Sequence, residues 1–251
     1  MRQVANPVLD GLFGPAVAVA GGLVAAHKGP LVGDEDALAV RMVPGRRAQF
    51  VAGRTLARAA LGTLGAPPAA LGRAAGGSPI WPAGVVGTIT HCGDGAAGWC
   101  AAAVAPAGRY RGLGLDAELD RPLDDPVAAL VLTPSEAASI AGDARLSTVF
   151  FCAKESVYKA LNPLTGVFLD FHDVEVALDP AAGRFSARVL LADWPPTAPR
   201  EIDGRLRRSS GMIITVVELP VPVLRRPAGR PAASGPGSGY TVLVRRGRRA
   251  A

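Results

Sequence analysis

FFCAKESVYKA, residues 150–160, is the stretch on which the architecture of this chain depends. On a period of about 3.6 residues its Ala153 and Val157 share one apolar stripe, which predicts an amphipathic helix packed on a core. Glu155 and Lys159 stand one turn apart on the same helix. Glu four residues before Lys is the favourable order for an ordinary surface ion pair. Taken alone, the stretch therefore favours a solvated pair over a working site.

A second stretch, RGLGLDAELD at residues 111–120, alternates as a β-strand does. Its apolar residues fall on one face, while Asp116 and Glu118 fall on the other. Two carboxylates on a strand and a third on the helix, Glu155, are the few oxygen ligands that Mg²⁺ needs, with room left for water and phosphate oxygens. Sequence spacing does not show that the strand and the helix are close in space. Each motif alone also has a high false-positive rate.

Periodicity and turn residues predict the elements before this strand. The apolar run at residues 16–26 predicts a buried strand, and residues 33–65 carry helical spacing that Gly65 ends. Residues 85–92 and 96–105 flank the turn GDG and predict a β-hairpin. The core of this half is therefore expected to lie between a helix and strands.

The elements after the strand are predicted in the same way. Residues 125–132 predict a helix, and Thr133 caps a further helix in which Glu136 completes a capping box. Strands are predicted at residues 168–179, 184–191 and 211–220. The order strand, helix, hairpin, strand, helices, strands predicts an α+β protein.

Composition places the chain among globular proteins. It has 251 residues, of which 49% are hydrophobic and 19% charged, which suits one large domain or two compact halves. Three cysteines without a CxxC motif argue against a disulfide framework or a zinc site and favour a reducing cytoplasm. The run at residues 16–26 is too short to span a bilayer.

The positive charge is concentrated at the C-terminal end. The net charge is +6, but residues 225–251 contain seven Arg and no acid, so the rest has 20 basic against 21 acidic residues. The Pro, Gly and Arg of this tail predict a disordered, solvated extension. A tail that binds nucleic acid or a membrane is the alternative; we expect neither partner for the body of the chain.

Five segments together resemble a known family. They are GRTLARAAL, PIWPAGVVGTITHC, GLGLDAELDRPL, LTPSEAA and FCAKESVYKALNPLTGVFLDFHDVEV. In this order and at these separations they resemble the 4′-phosphopantetheinyl transferases of the Sfp type, in the branch that activates enterobactin-like synthases. The resemblance covers roughly residues 41–178, and the last three segments are highly specific together.

The resemblance implies a pseudo-dimer of two similar halves, each a helix on an antiparallel sheet, with the active site in the cleft between them. Residues 1–111 and 112–224 would form the two halves, with 225–251 as the tail. The implied activity is Mg²⁺-dependent transfer of 4′-phosphopantetheine from coenzyme A to a serine of an acyl or peptidyl carrier protein, with release of adenosine 3′,5′-bisphosphate. The carriers would belong to fatty-acid, polyketide or nonribosomal-peptide assembly. We expect a cytoplasmic monomer that meets its carrier near residues 119–140.

The resemblance also assigns roles to residues of this sequence. Asp116, Glu118 and Glu155 would be the Mg²⁺ carboxylates, with Glu155 also the base for the serine proton and Lys159 beside the pyrophosphate. The residues that would contact coenzyme A are Arg47, Arg54, Thr90, His91, Asp116, Lys154 and Lys159.

Three points remain open on the sequence alone. Gly76 stands where relatives often carry a base, and the nearest base is Arg73. Trp81 is either a packing residue or part of the adenine pocket. A coenzyme-A-binding scaffold that has lost transfer is the rival function, against which the presence of all three carboxylates and Lys159 argues.

Overall fold

The computed structural model of the chain describes residues 8–74, 76–140 and 142–222. It is an α+β fold with antiparallel sheets, as the sequence predicts. The prediction for the tail, residues 225–251, lies outside the described residues. In the described part, no helix is both long and apolar enough to cross a bilayer.

The first half packs a long helix on a three-stranded sheet with the order β1-β5-β4. Its elements are β1 (Ala18–Leu23), α1 (Glu35–Ala39), α2 (Pro44–Leu64), β2 (Gly72–Arg73), β3 (Pro79–Ile80), β4 (Val85–Cys92) and β5 (Trp99–Pro106). Helix α2 buries Leu56, Ala60 and Leu61 with Val104 of β5 in one apolar cluster. The hairpin β4–β5 is confirmed, with Cys92 opposite Trp99.

The second half packs a long helix on a five-stranded sheet with the order β6-β10-β9-β8-β7. Its elements are β6 (Tyr110–Leu119), α3 (Asp125–Val131), α4 (Pro134–Ser139), α5 (Leu146–Thr165), β7 (Val174–Asp179), β8 (Arg184–Val189), β9 (Glu201–Ser209) and β10 (Met212–Pro220). The stretch at residues 150–160 lies in α5, where Ala153 and Val157 are buried as their spacing predicts.

Two glycines of β6 allow α5 to approach the strand at backbone distance. A Cβ on Gly114 would lie far inside van der Waals distance of the Ser156 carbonyl oxygen, and one on Gly112 would meet that of Ala160. Only glycine therefore fits at these two positions. The close approach brings the helix carrying Glu155 against the strand carrying Asp116.

Several element boundaries differ from the sequence prediction. The helical stretch at residues 33–65 is two helices, because the chain leaves α1 at residue 40 and Pro44 starts α2 at its first turn. Strand β9 was not predicted. The strand expected from residue 168 begins at Val174, after a short 3₁₀ turn over Phe171–Asp173. The capping box of Thr133 and Glu136 is confirmed.

Candidate active site

A cavity of about 440 Å³ lies between the two helix-on-sheet units. Helices α2 and α5, strands β4 and β6, and the segment around β2 and β3 form its walls. Of the residues singled out from the sequence, the cavity is lined by Arg54, Thr90, His91, Asp116, Glu118, Glu155 and Lys159. The fold therefore brings the DAE strand and the KExxxK helix to one place.

Asp116 is the most enclosed of the three acids, with 3% of its surface exposed. Its Oδ1 atom accepts hydrogen bonds from Lys159 Nζ at 2.5 Å and from Thr90 Oγ1 at 3.0 Å. Its Oδ2 atom is buried and has no hydrogen-bond partner among the described residues. A buried carboxylate oxygen without a donor is unfavourable unless a ligand completes it.

Enclosure and mutual repulsion alter the protonation of this end of the cavity. Burial, and then the Asp116 charge, raise the pKa of Glu118 from 4.5 to about 7. Burial also raises the pKa of Glu155, against the opposing effect of Lys159. Burial would lower the pKa of Lys159, but Asp116 and Glu155 outweigh it, so the pKa is raised and the ammonium stays charged. The three acids thus form a crowded anionic site that favours added positive charge.

His91 lies against a cation that the sequence analysis did not single out. Its Nε2 atom contacts Nη1 of Arg46, a cavity-lining residue of α2. Burial, Arg46 and Lys159 together lower the pKa of His91 to about 4, so the ring is neutral and Nε2 accepts the Arg46 hydrogen.

Arg46, Arg54 and Arg73 give the cavity a basic end. Arg54 is buried, lies 4.6 Å above the centre of the Phe50 ring and donates to the Gly72 carbonyl oxygen at 3.4 Å. Its Nε atom has no hydrogen-bond partner among the described residues. Three guanidinium groups at one end of a cavity are suited to phosphate oxygens.

Arg47 does not reach the cavity. Arg47, Arg54 and Arg58 share one side of α2, as their spacing predicts, but that side faces α1. Arg47 pairs with Asp36 at 3.3 Å on the surface, and Arg58 pairs with Glu35 at 2.7 Å. Of the three, only Arg54 also lines the cavity.

Lys154 also lies away from the cavity. Its Nζ atom is buried and donates to Glu136 Oε2 at 2.7 Å, to the Val131 carbonyl oxygen at 2.8 Å and to that of Phe171 at 2.7 Å. These three bonds use every hydrogen of the ammonium group. Lys154 therefore joins α5 to its neighbours and has no donor left for a phosphate.

Neutral groups line the rest of the cavity, among them Gly76, Trp81, Thr88 and Asn162. The Trp81 ring lies so close to Gly87 of β4 that a Cβ there would overlap it. Trp81 thus both packs on the sheet and lines the cavity. No motif pointed to Thr88, whose buried hydroxyl has no hydrogen-bond partner among the described residues.

The carboxylate oxygens of the cavity suit a hard cation whose remaining ligands are water and substrate oxygens. In the described part of the chain, no group of three His, Cys, Asp or Glu side chains is arranged to hold a metal by itself. Mg²⁺, however, usually takes one or two carboxylates together with water and substrate phosphates. The free Oδ2 of Asp116 and the Glu118 carboxylate fit that pattern.

Models of one protein family match both halves of the chain. A model of the 4′-phosphopantetheinyl transferase N-terminal domain matches residues 34–105, and a model of the 4′-phosphopantetheinyl transferase superfamily matches residues 112–209. The 4′-phosphopantetheinyl transferase Svp of Streptomyces mobaraensis is 43% identical over 215 residues, which are 82% of this chain and 83% of that protein. The chain belongs to the 4′-phosphopantetheinyl transferase superfamily.

Two further members of the superfamily are similar over most of their length. Npt of Nocardia iowensis is 36% identical over 73% of this chain and 86% of its own. PptT of Mycobacterium tuberculosis is 34% identical over 74% of this chain and 85% of its own. The chain is thus a transferase that moves 4′-phosphopantetheine from coenzyme A to carrier proteins.

Proposed function

We propose that the cavity binds coenzyme A with its nucleotide phosphates at the basic end and its pyrophosphate beside Lys159, and that Mg²⁺ acts at the acidic end. The observation that carries this proposal is the Lys159–Asp116 pair at 2.5 Å, which places a cation beside a cavity-lining acid whose buried Oδ2 has no hydrogen-bond partner among the described residues. Arg46 takes the place that the sequence analysis gave to Arg47, because Arg46 is the member of the two that lines the cavity.

In the proposed reaction a serine hydroxyl of the carrier attacks the phosphorus that bears the pantetheine arm. The new bond joins the serine oxygen to that phosphorus, and the bond from phosphorus to the bridging pyrophosphate oxygen breaks. Glu155 accepts the serine proton, a role that suits a carboxylate whose pKa is raised by burial. Lys159 stabilises the charge that develops on the departing adenosine 3′,5′-bisphosphate.

Asp116, Glu118 and Glu155 would hold the Mg²⁺ ion. When bound, the ion supplies positive charge at the pyrophosphate oxygens. Burial first, and the Asp116 charge to a smaller extent, raise the pKa of both Glu118 and Glu155, so added positive charge is favourable at these carboxylates.

The finer organisation is part of the same proposal. The boundary between the halves, placed at residues 111 and 112, falls within the first residues of β6. The enzyme acts as a monomer in the cytoplasm. The carrier approaches residues 119–140, a region in which Leu119, Val127 and Leu130 are exposed. Exposed apolar side chains beside a cavity are a common feature of protein-binding surfaces.

The test is incubation with apo carrier proteins, coenzyme A and Mg²⁺, followed by mass spectrometry of the carrier. We expect one phosphopantetheine group on the serine, and little product when EDTA replaces Mg²⁺. Coenzyme A binding without product on any of several carriers would instead support the scaffold. Equal rates with EDTA and with Mg²⁺ would contradict the metal role alone.

A further inference from the structure

An amide oxygen of α5 faces the loop between β2 and β3. Asn162 lies on α5, is half-buried and lines the cavity, as does Gly76 of that loop. The Oδ1 atom of Asn162 would lie 3.6 Å from a Cβ on Gly76. The helix of the second half and the loop of the first half therefore approach each other at this atom.

The orientation of this amide is determined by its other end. Nδ2 of Asn162 donates to the Val167 carbonyl oxygen at 3.0 Å. A carbonyl oxygen only accepts, so the amide nitrogen must face Val167 and Oδ1 must face the loop. Oδ1 has no hydrogen-bond partner among the described residues and, unlike the Oδ2 atom of Asp116, it is not fully enclosed. The cavity wall therefore presents a fixed and accessible acceptor at this point.

The same loop also holds a cation of the basic end. Arg73 lines the cavity where the loop begins, and its Nε atom donates to the Gly77 carbonyl oxygen at 3.3 Å. A guanidinium group attracts a phosphate oxygen, whereas an amide oxygen repels it. Arg73 and Asn162 thus suit a ligand that carries a phosphate and, close to it, a hydrogen-bond donor.

Order along α5 indicates which part of coenzyme A this donor belongs to. Glu155 is proposed at the reacting phosphorus, and Lys159, one turn later, beside the pyrophosphate. Asn162 comes about 4.5 Å further along the helix axis, on the side of the pyrophosphate that faces away from Glu155. In the proposed arrangement that side holds the nucleotide, whose donors are the ribose 2′-hydroxyl and the 6-amino group of adenine.

The cavity wall around this acceptor favours the base over the sugar. Pro163 follows Asn162 directly, and Pro79 and Trp81 follow the loop; all three line the cavity. Apolar and aromatic side chains of this kind suit the faces of a flat purine ring. A ribose hydroxyl would gain nothing from such walls.

We propose that Asn162 determines the specificity for the base of coenzyme A, with its Oδ1 accepting a hydrogen bond from the 6-amino group of adenine. This inference rests on the proposed function, because it takes the nucleotide to bind at the basic end. Hypoxanthine carries a carbonyl oxygen at position 6, which would repel Oδ1. The site therefore discriminates between an amino and a carbonyl group at this position of the purine.

The test compares two ligands in wild type and in Asn162→Leu. Calorimetry in EDTA measures the affinity for coenzyme A and for its hypoxanthine analogue, in which a carbonyl replaces the 6-amino group. Leucine is close to asparagine in size and removes the acceptor. Thr165→Val is the matched control, because Thr165 bonds to Leu161 and Val167 in the same last turn of α5 and is not among the cavity-lining residues. Thermal unfolding verifies that each variant is folded.

We expect wild type and Thr165→Val to bind coenzyme A about 10-fold or more tightly than the analogue, since the analogue loses a hydrogen bond and opposes two acceptors. Asn162→Leu should bind the two ligands with nearly equal affinity. The ratio of the two affinities is the decisive quantity, because a loosened end of α5 would weaken both ligands alike.

Two results would overturn the inference and leave the proposed function intact: equal binding of both ligands by wild type, or a preference for adenine that persists in Asn162→Leu. In the second case a 2′-deoxy analogue shows whether Oδ1 bonds to the ribose, since Asn162→Leu would then lose its preference for the 2′-hydroxyl. A wild-type protein that binds neither coenzyme A nor the analogue would overturn the proposed function and this inference together.

Discussion

At the scale of single residues, Lys159 shows how the fold changes the meaning of a sequence pattern. Its spacing from Glu155 is that of a surface ion pair. In the structure its hydrogen-bonded partner is Asp116, on a strand 43 residues earlier in the chain, and Glu155 contributes only charge. The helix therefore presents an acid and a cation to the same cavity, whereas a surface pair would present both to solvent.

The proposed base is tested by Glu155→Gln. Removing the carboxylate leaves no acceptor for the serine proton at this position, so kcat should fall by roughly 10²- to 10⁴-fold. Coenzyme A affinity in EDTA should change little, because the amide keeps the size of the side chain. Steady-state kinetics with an apo carrier and calorimetry give the two quantities. A kcat equal to that of the wild type would return Glu155 to the role of a surface residue.

The crowding of the acids predicts a pH-dependent effect of Glu118→Gln on stability. Because the pKa of Glu118 is raised from 4.5 to about 7 in the folded protein, the folded state binds this proton more tightly than the unfolded chain. Glu118 therefore lowers the free energy of unfolding as pH rises from 4.5 to 7, by about 3 kcal/mol. In EDTA, Glu118→Gln should be more stable than the wild type at pH 8 and close to it at pH 4.

Urea unfolding at both pH values measures this difference. Glu201→Gln, at an exposed ion pair with Arg188, is the control and should show little dependence on pH. If the free energy of unfolding of Glu118→Gln differs from that of the wild type by the same amount at pH 4 and at pH 8, the Glu118 carboxylate is ionised at little cost in the folded protein.

At the scale of elements, the contact between α5 and β6 depends on Gly114. Gly114→Ala places a methyl group where the Ser156 carbonyl oxygen lies, so the helix must move away or the protein must unfold. We expect a loss of several kcal/mol of stability, as overpacking against backbone gives. Gly62→Ala on α2 is the control, because a Cβ there meets nothing within 4 Å and alanine favours a helix. A melting temperature of Gly114→Ala that is higher than that of Gly62→Ala would contradict this account of the packing.

The buried Glu35 carboxylate of helix α1 joins that helix to other parts of the first half. Glu35, 1% exposed, accepts two hydrogen bonds from Arg58 Nη1 and one each from the backbone nitrogens of Leu71 and Val32. Leu71 immediately precedes β2, whose Arg73 lines the cavity. The carboxylate thus links a helix, a loop and the basic end of the site.

Glu35→Gln should therefore lower the free energy of unfolding by about 3 kcal/mol, since it leaves buried guanidinium charge without its partner. Asp36→Asn is the matched control, because its pair with Arg47 is exposed and should contribute less than about 1 kcal/mol. Both values come from urea unfolding at pH 7. Equal losses in the two variants would show that burial of the Glu35 pair adds nothing.

Local pattern predicted most elements, but long-range contacts decided the rest. Alternation was sufficient for β6 and the capping box for α4, since both are contained in a few residues. Strand β9 was missed, because its exposed face carries Glu201, Asp203 and Arg205 and its inner face includes Gly204. Such a segment is held by its neighbours β8 and β10, which its own composition does not reveal.

The site was predictable in its acids and less so in its bases. Asp116 and Glu118 alternate with buried residues, so the strand period determines which way they face. On α2, the sequence gives the angle between Arg46 and Arg47 but not which side faces the cavity. That side is determined by α1, where Asp36 binds Arg47. The choice between two adjacent arginines therefore depends on the packing of a neighbouring helix.

At the scale of the whole molecule, the two halves meet through a buried apolar cluster, which includes Ala103 of β5 and Leu115 of β6, and through polar side chains beside the cavity. Thr90 from the first half and Lys159 from the second converge on Asp116, and the cavity opens beside this contact. A site made of both halves requires that each be folded and correctly placed. Mutations at the contact should consequently change ligand binding more than they change the stability of either sheet.

The division of charge along the chain predicts that the tail is separable from catalysis. Strand β10 ends at Pro220, and Val221 still donates a backbone hydrogen bond to Arg109, so a chain that ends at residue 224 keeps every described element. This truncation removes seven Arg and changes the net charge from +6 to −1. We expect kcat and KM within about twofold of the full chain, because non-specific long-range attraction is the main effect of such charge.

Comparing the full chain with the chain that ends at residue 224 also separates the electrostatic effect of the tail from its effect on catalysis. The full chain should be retained on heparin at low salt and the truncated chain should not, since retention by a basic segment depends on screened charge. If truncation instead raises KM for the carrier while KM for coenzyme A stays constant, the tail takes part in binding an acidic carrier surface. Repeating the assay across salt concentrations distinguishes the two cases, because a contribution from the tail's charge must diminish as ionic strength rises. The apolar carrier contacts proposed for residues 119–140 should not diminish in this way.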